Sequence, residues 1–233
     1  MQFSVGKRLG KKYEVVDVLG SGWEGSVYLV RELGTDIERA AKFFNTGKNA
    51  GNKMIKYYAR KLHKLRHCPI LMKYHTQETV EIDDVPVTFL VSEFVEGELL
   101  SEFVASNRGN KLHPYQGLHL LHALVSGLEH IHRAGEYHGD IHLENIIVER
   151  YGLDFQLKLI DIFRWNKHSL ADNKSEDIYN AISVMYEALG GQSTYASHDD
   201  VIKSICCGMK RPLIRKKFKN ARALKEHLEN LTW

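Results

Sequence analysis

Residues 13–94 alternate short apolar runs with turns rich in glycine, asparagine and aspartate, a pattern typical of β-strands with tight connections. The predicted strands are 13–19, 26–31, 37–44, 71–81 and 86–94. Between the third and fourth strands, residues 53–67 change to a helical period, with Met54, Tyr58, Leu62 and Leu65 at spacings of four, four and three. The pattern therefore predicts a small sheet with one inserted helix.

After Gly97 the apolar spacing becomes mostly helical. The strongest predicted helix runs from Pro114 to Ala134, and further helices are predicted at 176–189, 199–207 and 220–231. Two short apolar runs, 145–149 and 156–160, are predicted strands.

We therefore expect an α+β fold within one domain, 1–233. Its small antiparallel sheet lobe would cover 1–95, and a reduced, mainly helical lobe would cover 96–233.

Composition refines this expectation only slightly. A content of 43% hydrophobic and 26% charged residues is typical of a soluble globular protein, and the net charge of +3 does not indicate a polyanionic partner. Three cysteines without metal-site spacing favour a reducing compartment. Because neither a signal peptide nor a membrane-spanning run is evident, we expect a cytoplasmic protein with no membrane association.

The strongest chemical signal is the segment 138–145, with the sequence His-Gly-Asp-Ile-His-Leu-Glu-Asn, followed by Asp161. Asp140, Asn145 and Asp161 stand in the order that a phosphoryl-transfer site needs. One carboxylate orients an attacking hydroxyl, while an amide and a second carboxylate hold Mg²⁺ on the phosphates.

Three glycines, Gly20, Gly22 and Gly25, lie between the first two predicted strands. Glycine lets a turn fold tightly and lets backbone N–H groups approach phosphates. A dinucleotide-binding fold would need a helix after the third glycine, but this chain continues as a strand, which favours a flap over a nucleotide. An ordinary glycine-rich hairpin is the alternative for this segment taken alone.

The third predicted strand places Ala40 and Lys42 on one face. A small residue there leaves room for an adenine, and the lysine can reach the α- and β-phosphates. A lone lysine in a strand is more often a solvated edge residue. The position of Lys42 one strand after the glycines favours phosphate binding instead.

Together these features resemble the protein kinase superfamily, in its eukaryotic-like Ser/Thr branch, over about residues 13–228. The resemblance implies a two-lobed protein-kinase-like fold that binds ATP and Mg²⁺. It implies that Asp140 is the catalytic base, that Lys42 anchors the phosphates, and that Asn145 and Asp161 are metal ligands.

The resemblance also assigns the adenine site. Residues 90–97 resemble the hinge, where backbone groups near Glu93 and Val95 would bind the adenine edge behind a small gatekeeper, Ser92. Asp177 resembles the buried helix aspartate that holds the catalytic-loop backbone. The side chains implied to enclose the base are Leu19, Val27, Ala40 and Ile147.

One departure from the family pattern concerns the helix that should supply a glutamate to Lys42. The expected position is Tyr58, and no Asp or Glu occurs from residue 39 to residue 77. We expect Lys42 to pair with Asp161 or Glu24, or to remain unpaired, in which case poor alignment would weaken catalysis.

Other departures concern regulation and substrate. Gly139 replaces the arginine that reads an activation-loop phosphate, and His142 stands where protein kinases place a second phosphate-binding lysine. Asp161-Ile162-Phe163 replaces Asp-Phe-Gly. Only 16 positions separate Asp161 from Asp177, less than half the usual interval.

We therefore expect an ATP·Mg²⁺-dependent phosphotransferase, a minimal Ser/Thr-type protein kinase that activation-loop phosphorylation does not regulate. Two alternatives stay open. The His-Gly-Asp loop and the short segment also resemble small-molecule kinases such as those that act on aminoglycosides. The missing helix glutamate is compatible with a nucleotide-binding pseudokinase that acts as a scaffold.

The basic residues admit a second interpretation. The inserted helix is a candidate docking surface for an acidic partner, although a solvated helix face is the more common meaning of such a run, and nucleic acid is not favoured. Its basic residues are Lys53, Lys56, Arg60, Lys61, Lys64 and Arg66. A second basic run, 210–222, should contain the family's late structural arginine, at a position that the sequence leaves open. The 13 histidines show no tetrahedral ligand set, so we expect no structural zinc.

Overall fold

The computed structural model describes residues 2–45, 47, 49–152, 154–162 and 168–231. The chain divides into two compact units, one comprising Met1–His67 with Leu71–Val95 and the other Cys68–Ile70 with Glu96–Trp233. No helix in the described part of the chain is both long enough and apolar enough to cross a lipid bilayer.

The first unit is built on a six-stranded antiparallel sheet, with strands in the order β1-β2-β3-β4-β6-β5. Helix α1 (Lys53–Lys64) lies between β4 and β5 in the chain. This arrangement confirms the predicted antiparallel sheet with an inserted helix. The strands are β1 (Arg8–Leu9), β2 (Tyr13–Ser21), β3 (Gly25–Glu32), β4 (Glu38–Phe44), β5 (Tyr74–Ile82) and β6 (Val85–Glu93).

Alternation along β3 and β4 sorts their side chains onto two faces of the sheet. Tyr28 and Phe43 enter a buried core together with Phe3, whose ring centroid lies 5.2 Å from the first ring and 4.9 Å from the second. Val27 and Lys42, each one position away, are direct cross-strand partners and lie on the opposite face.

Helix α1 buries Ile55, Tyr58 and Leu62 along one side and contacts β5 and β6. The ring of Tyr58 meets that of Phe44 edge-on, with centroids 5.1 Å apart. The predicted helical period is therefore confirmed. A phenol, rather than a carboxylate, occupies the inner face of this helix.

The second unit combines a three-stranded antiparallel sheet, β7-β8-β9, with several helices. Helix α3 is its centre, since it packs against α4 and α8 and its inward leucines are fully buried. The elements are β7 (Glu98–Leu99), α2 (Leu100–Ser106), α3 (Pro114–Arg133), β8 (Ile146–Tyr151), β9 (Phe155–Leu159), α4 (Leu170–Ala188), α5 (Gln192–Tyr195), α6 (Asp200–Cys206), α7 (Arg211–Lys217) and α8 (Ala221–Glu229).

Three predictions about this unit were wrong in detail. Asn145 ends a 3₁₀ turn, Leu143–Asn145, and does not begin the strand, which starts at Ile146. Helix α4 begins at Leu170, six residues before its predicted start, because the Ser169 hydroxyl caps it by accepting from the Asp172 N–H at 3.1 Å. Helices α2, α5 and α7, of 7, 4 and 7 residues, were not predicted because so few residues give no clear period.

Candidate active site

The side chains of Asp140 and Asn145 lie together in the second unit. The amide nitrogen of Asn145 donates to the backbone oxygen of Asp140 at 2.9 Å and to its carboxylate Oδ2 at 3.1 Å. The 3₁₀ turn that ends at Asn145 brings the two residues together across five positions. The carboxylate of Asp140 is thus held in one orientation while remaining 43% exposed, as a base that meets a substrate must be.

Asp177, on α4, fixes the backbone of this loop. Its carboxylate is fully buried and accepts the N–H of His138 at 2.7 Å and that of Gly139 at 2.8 Å. The Nε2 atom of His132, at the end of α3, lies 2.9 Å from Oδ2 of the same carboxylate. The predicted contact between Asp177 and the loop is confirmed, whereas the contact with His132, 45 positions away, had no sequence signal.

Two residues of the loop region have unusual backbone conformations. Gly139 has φ +95°, a value that side-chain-bearing residues seldom adopt, so glycine suits this loop geometry for a conformational reason. Asp161 has φ +55°, in the left-handed region that costs an aspartate free energy. Strain of this kind is found preferentially at functional sites, and at Asp161 it coincides with the candidate metal ligand.

His142 lies beside the candidate base. Its Nε2 atom is 3.7 Å from Oδ2 of Asp140, and its side chain is 45% exposed. The interaction with the Asp140 carboxylate raises the pKa of His142 above its usual value, although burial of the ring acts in the opposite direction. Positive charge is therefore favoured next to the carboxylate, at the position where the family carries a lysine.

The donor set at Asn145 and Asp161 suits Mg²⁺. An amide oxygen and a carboxylate are the hard ligands that Mg²⁺ takes from proteins, with phosphates and water completing its shell. Because the amide nitrogen of Asn145 is bound to Asp140, the amide oxygen is the atom left to face a cation. Within the described ranges there is no cluster of three or more His, Cys, Asp or Glu that could hold a metal by itself.

Lys42 lies in the first unit, within a buried polar cluster. Its Nζ atom lies 3.0 Å from Oε2 of Glu24 and 3.5 Å from the hydroxyl of Tyr58, and only 6% of the residue is exposed. The Tyr58 hydroxyl donates to the same Oε2 atom at 2.8 Å. Of the partners expected from the sequence, Glu24 therefore pairs with Lys42, and the tyrosine that replaces the helix glutamate binds this carboxylate.

The three flap glycines differ in what the fold requires of them. A Cβ atom on Gly25 would lie 1.8 Å from the backbone oxygen of Phe43, so only glycine fits there. A Cβ on Gly20 or Gly22 would meet nothing within 4 Å among the described residues. Packing against Phe43 thus explains why residue 25 is glycine. Gly20 and Gly22 leave the flap backbone open to approach by a ligand.

The residues predicted to enclose adenine lie mainly in the first unit. Leu19 is 43% exposed, while the gatekeeper Ser92 is buried and pairs with Ala40 across β4 and β6. At the end of β6 the backbone N–H of Glu93 donates to the backbone oxygen of Lys73 at 2.9 Å. The predicted set continues with Val27 on β3, opposite Lys42, and with Val95, which is largely buried. Ile147, by contrast, belongs to the second unit, on β8.

The segment after Asp161 is short. Only eight residues, 162–169, precede helix α4, and five of them, including Phe163 of the altered Asp-Phe-Gly motif, lie outside the described residues.

The second basic run contributes Arg211, at the start of α7, to an ion pair with α4. The guanidinium of Arg211 binds the Glu176 carboxylate through Nη2 at 2.6 Å and Nε at 3.2 Å, and lies 3.8 Å from the ring centre of Tyr179. Glu176 directly precedes Asp177, so this ion pair braces the helix turn that holds the loop of Asp140.

Comparisons with known proteins agree with this geometry. Serine/threonine-protein kinase PrkC of Bacillus subtilis is 29% identical over 212 residues, which cover 81% of this chain and 32% of that protein. A probable serine/threonine-protein kinase of Streptomyces coelicolor, SCO3848, is 32% identical over 166 residues, 66% of this chain and 23% of that protein. The chain thus spans a third or less of the length of these two relatives.

Solved structures show the same fold. The kinase domain of Mycobacterium tuberculosis PknI superposes with a TM-score of 0.68 at 17% identity, covering 98% of both chains. The family model for the protein kinase domain matches residues 13–164, more than half of the chain and all of the candidate site up to Asp161. The chain therefore belongs to the protein kinase family.

Proposed function

We propose that this chain transfers the γ-phosphate of ATP to serine or threonine hydroxyls of proteins. The observation that carries the proposal is the pairing of Asp140 with Asn145 in a loop that the buried Asp177 holds by two backbone hydrogen bonds. A phosphoryl-transfer enzyme needs little more from its protein than positioned groups of this kind.

In this proposal Asp140 orients the attacking hydroxyl and receives its proton. Asn145 orients Asp140, and His142 adds positive charge beside it. Lys42 binds the α- and β-phosphates, which the flap glycines Gly20, Gly22 and Gly25 cover with backbone N–H groups.

Asn145 and Asp161 would hold Mg²⁺. When bound, the metal offsets the negative charge of the transferred phosphate. The proposed adenine site comprises Leu19, Val27, Ala40, Ile147 and the backbone at Glu93 and Val95.

Two observations bear on the alternatives. The pairing of Lys42 with Glu24 supports an active enzyme over a pseudokinase, since the lysine has a carboxylate partner. The named relatives are serine/threonine-protein kinases, which favours a protein hydroxyl over that of a small molecule.

Regulation by an activation-loop phosphate is not part of the proposal, because Gly139 replaces the arginine that would read it. We further propose a cytoplasmic location. An acidic protein partner would bind the exposed basic side of α1, which carries Lys53, Lys56, Arg60 and Lys64.

The test is transfer of labelled γ-phosphate to the chain itself and to generic protein substrates. Wild type is compared with Asp140→Asn and Asp161→Ala, and with Asp83→Asn, the same chemical change at an exposed hairpin turn. We expect the first two variants to lose at least about 100-fold in rate and the third to match wild type. Equal transfer by all four proteins would refute the assignment.

Nucleotide binding gives a second measurement. Saturating ATP·Mg²⁺ should raise the melting temperature of the wild type, because a ligand that binds only the folded state stabilises it. The absence of any shift would show that the site itself is wrongly placed.

A further inference from the structure

We infer that Glu24 is the positioning residue for Lys42, acting in place of a helix glutamate, and that Tyr58 and Asn45 hold it there. The inference rests on the proposed function. It assigns to the nucleotide-covering flap a task that the family gives to the inserted helix.

The carboxylate beside Lys42 comes from the flap, because the inserted helix has none to offer. Residues 39–77, which include Lys42 and the whole of α1, contain no Asp or Glu, and Glu38 at the start of β4 binds Arg31. The Lys42–Glu24 contact is 3.0 Å long, and the side chains are only 7% and 13% exposed. An ion pair shielded to this degree is screened much less than a surface pair, so it can fix the direction of the ammonium group.

The backbone that carries Glu24 is tied to the end of β4. The backbone N–H of Asn45 donates to the backbone oxygen of Glu24 at 2.8 Å. The side-chain amide of Asn45 donates to the backbone oxygen of Trp23 at 2.9 Å. The close approach of Gly25 to Phe43 fixes the next residue as well. Glu24 therefore stands on the fixed base of the flap, next to the strand that carries Lys42.

The side chain of Glu24 is held from the other direction by α1. The hydroxyl of Tyr58 donates to Oε2 at 2.8 Å, so one carboxylate oxygen receives both the phenol and the ammonium group. Oε1 is buried and accepts no hydrogen bond from the described residues, an arrangement that costs stability. Both observed contacts therefore fall on Oε2, so the phenol and the ammonium group are fixed to the same oxygen.

The test uses variants that change one atom group each. Glu24→Gln keeps the size and removes the charge, and Tyr58→Phe removes only the hydroxyl. Tyr57→Phe, on the same helix, and Glu81→Gln, exposed on β5, are the matched controls. The double variant Glu24→Gln/Tyr58→Glu returns a carboxylate to the helix position.

We expect Glu24→Gln to lower kcat for phosphate transfer by about 10- to 100-fold with a smaller change in KM for ATP, because misalignment of Lys42 affects transfer more than binding. Tyr58→Phe should lower kcat by a few-fold, and the controls should not.

The double variant should regain at least half of the lost kcat on a logarithmic scale. This rescue separates positioning from a general loss of structure. An unchanged kcat/KM in Glu24→Gln would overturn the inference, and a higher value would overturn it by showing that the carboxylate opposes phosphate binding.

A second readout does not depend on transfer. The rate at which an amine-reactive ester labels Lys42, followed by peptide mass spectrometry, should rise several-fold in Glu24→Gln and remain at the wild-type value in Tyr57→Phe. An unchanged labelling rate would overturn the inference even if the double variant failed to fold. If wild type transfers no phosphate, the proposed function fails while this labelling test still decides whether Glu24 holds Lys42.

Discussion

The carboxylate of Asp177 is hydrogen-bonded to the imidazole of His132 at 2.9 Å, so the end of α3 and the start of the loop that carries Asp140 share one buried acceptor. Lys174, one turn earlier on α4, donates to the backbone oxygen of His132 at 2.6 Å. These contacts make the loop geometry a property of the helical core, because the loop cannot shift without leaving a buried carboxylate unpaired.

The first prediction concerns that carboxylate. Asp177→Asn should lower the free energy of unfolding by about 3 kcal/mol, because an amide presents an N–H to backbone donors that need an acceptor. The rate of phosphate transfer should fall further than the loss of folded protein accounts for, since Asp140 loses its support. Urea denaturation with transfer assays on the folded fraction measures both effects. Retention of full activity would mean that the loop holds its shape without Asp177.

The second prediction separates the roles of the flap glycines. Gly25→Ala should destabilise the protein by about 2–3 kcal/mol, because its Cβ overlaps the backbone oxygen of Phe43. Gly22→Ala should change stability by less than about 0.5 kcal/mol, since its Cβ meets open space. The same variant should raise KM for ATP several-fold if the flap approaches phosphates. Melting curves and ATP titrations of both variants provide the comparison, and equal behaviour of the two would contradict it.

The third prediction concerns pH. Since Asp140 raises the pKa of His142 in the folded state, the contribution of His142 to stability is fully present below its unfolded pKa of about 6.5 and is lost as the pH rises through the folded value. His142→Asn should therefore be less stable than wild type at about pH 5.5 and equal to it by about pH 9. Urea denaturation at both pH values measures this. His67→Asn, at an exposed histidine, serves as control. A difference in stability between wild type and His142→Asn that grows with rising pH would contradict the prediction.

The fourth prediction concerns Gly139. Gly139→Ala should cost about 1–2 kcal/mol, because a residue with a Cβ is strained at φ +95°. Gly152→Ala, at an exposed glycine with negative φ, should cost much less. Differential scanning calorimetry of the pair isolates the conformational contribution, and equal losses would show that backbone strain is not the reason for glycine in this loop.

The sequence predicted much of the fold because its strands and long helices have clear periods, as α1 and α3 show. It also predicted the neighbourhood of Asp140 and Asn145, since both lie within one local segment of fixed spacing. Glu24 could be named as a candidate because no acidic residue of 39–77 was available. That Tyr58 donates to it depends on how α1 packs on the sheet, which linear spacing does not determine.

Contacts between distant parts of the chain were harder to predict. Arg211 and Arg215 are two of several basic residues in a single run, and the packing of α7 beside α4 brings them to within 2.6 and 3.8 Å of the Glu176 carboxylate. The left-handed backbone of Asp161 is equally invisible to residue type, because aspartate occurs mostly in other conformations.

The early start of α4 has a consequence for covalent modification of the segment before it. Between Asp161 and Leu170 the chain has one hydroxyl-bearing residue, Ser169, and its Oγ atom caps the helix and lies 2.7 Å from the Asp172 carboxylate. A phosphate there would meet that negative charge and displace the cap. Phosphorylation of Ser169 would therefore loosen the first turn of α4, the same helix that carries Asp177.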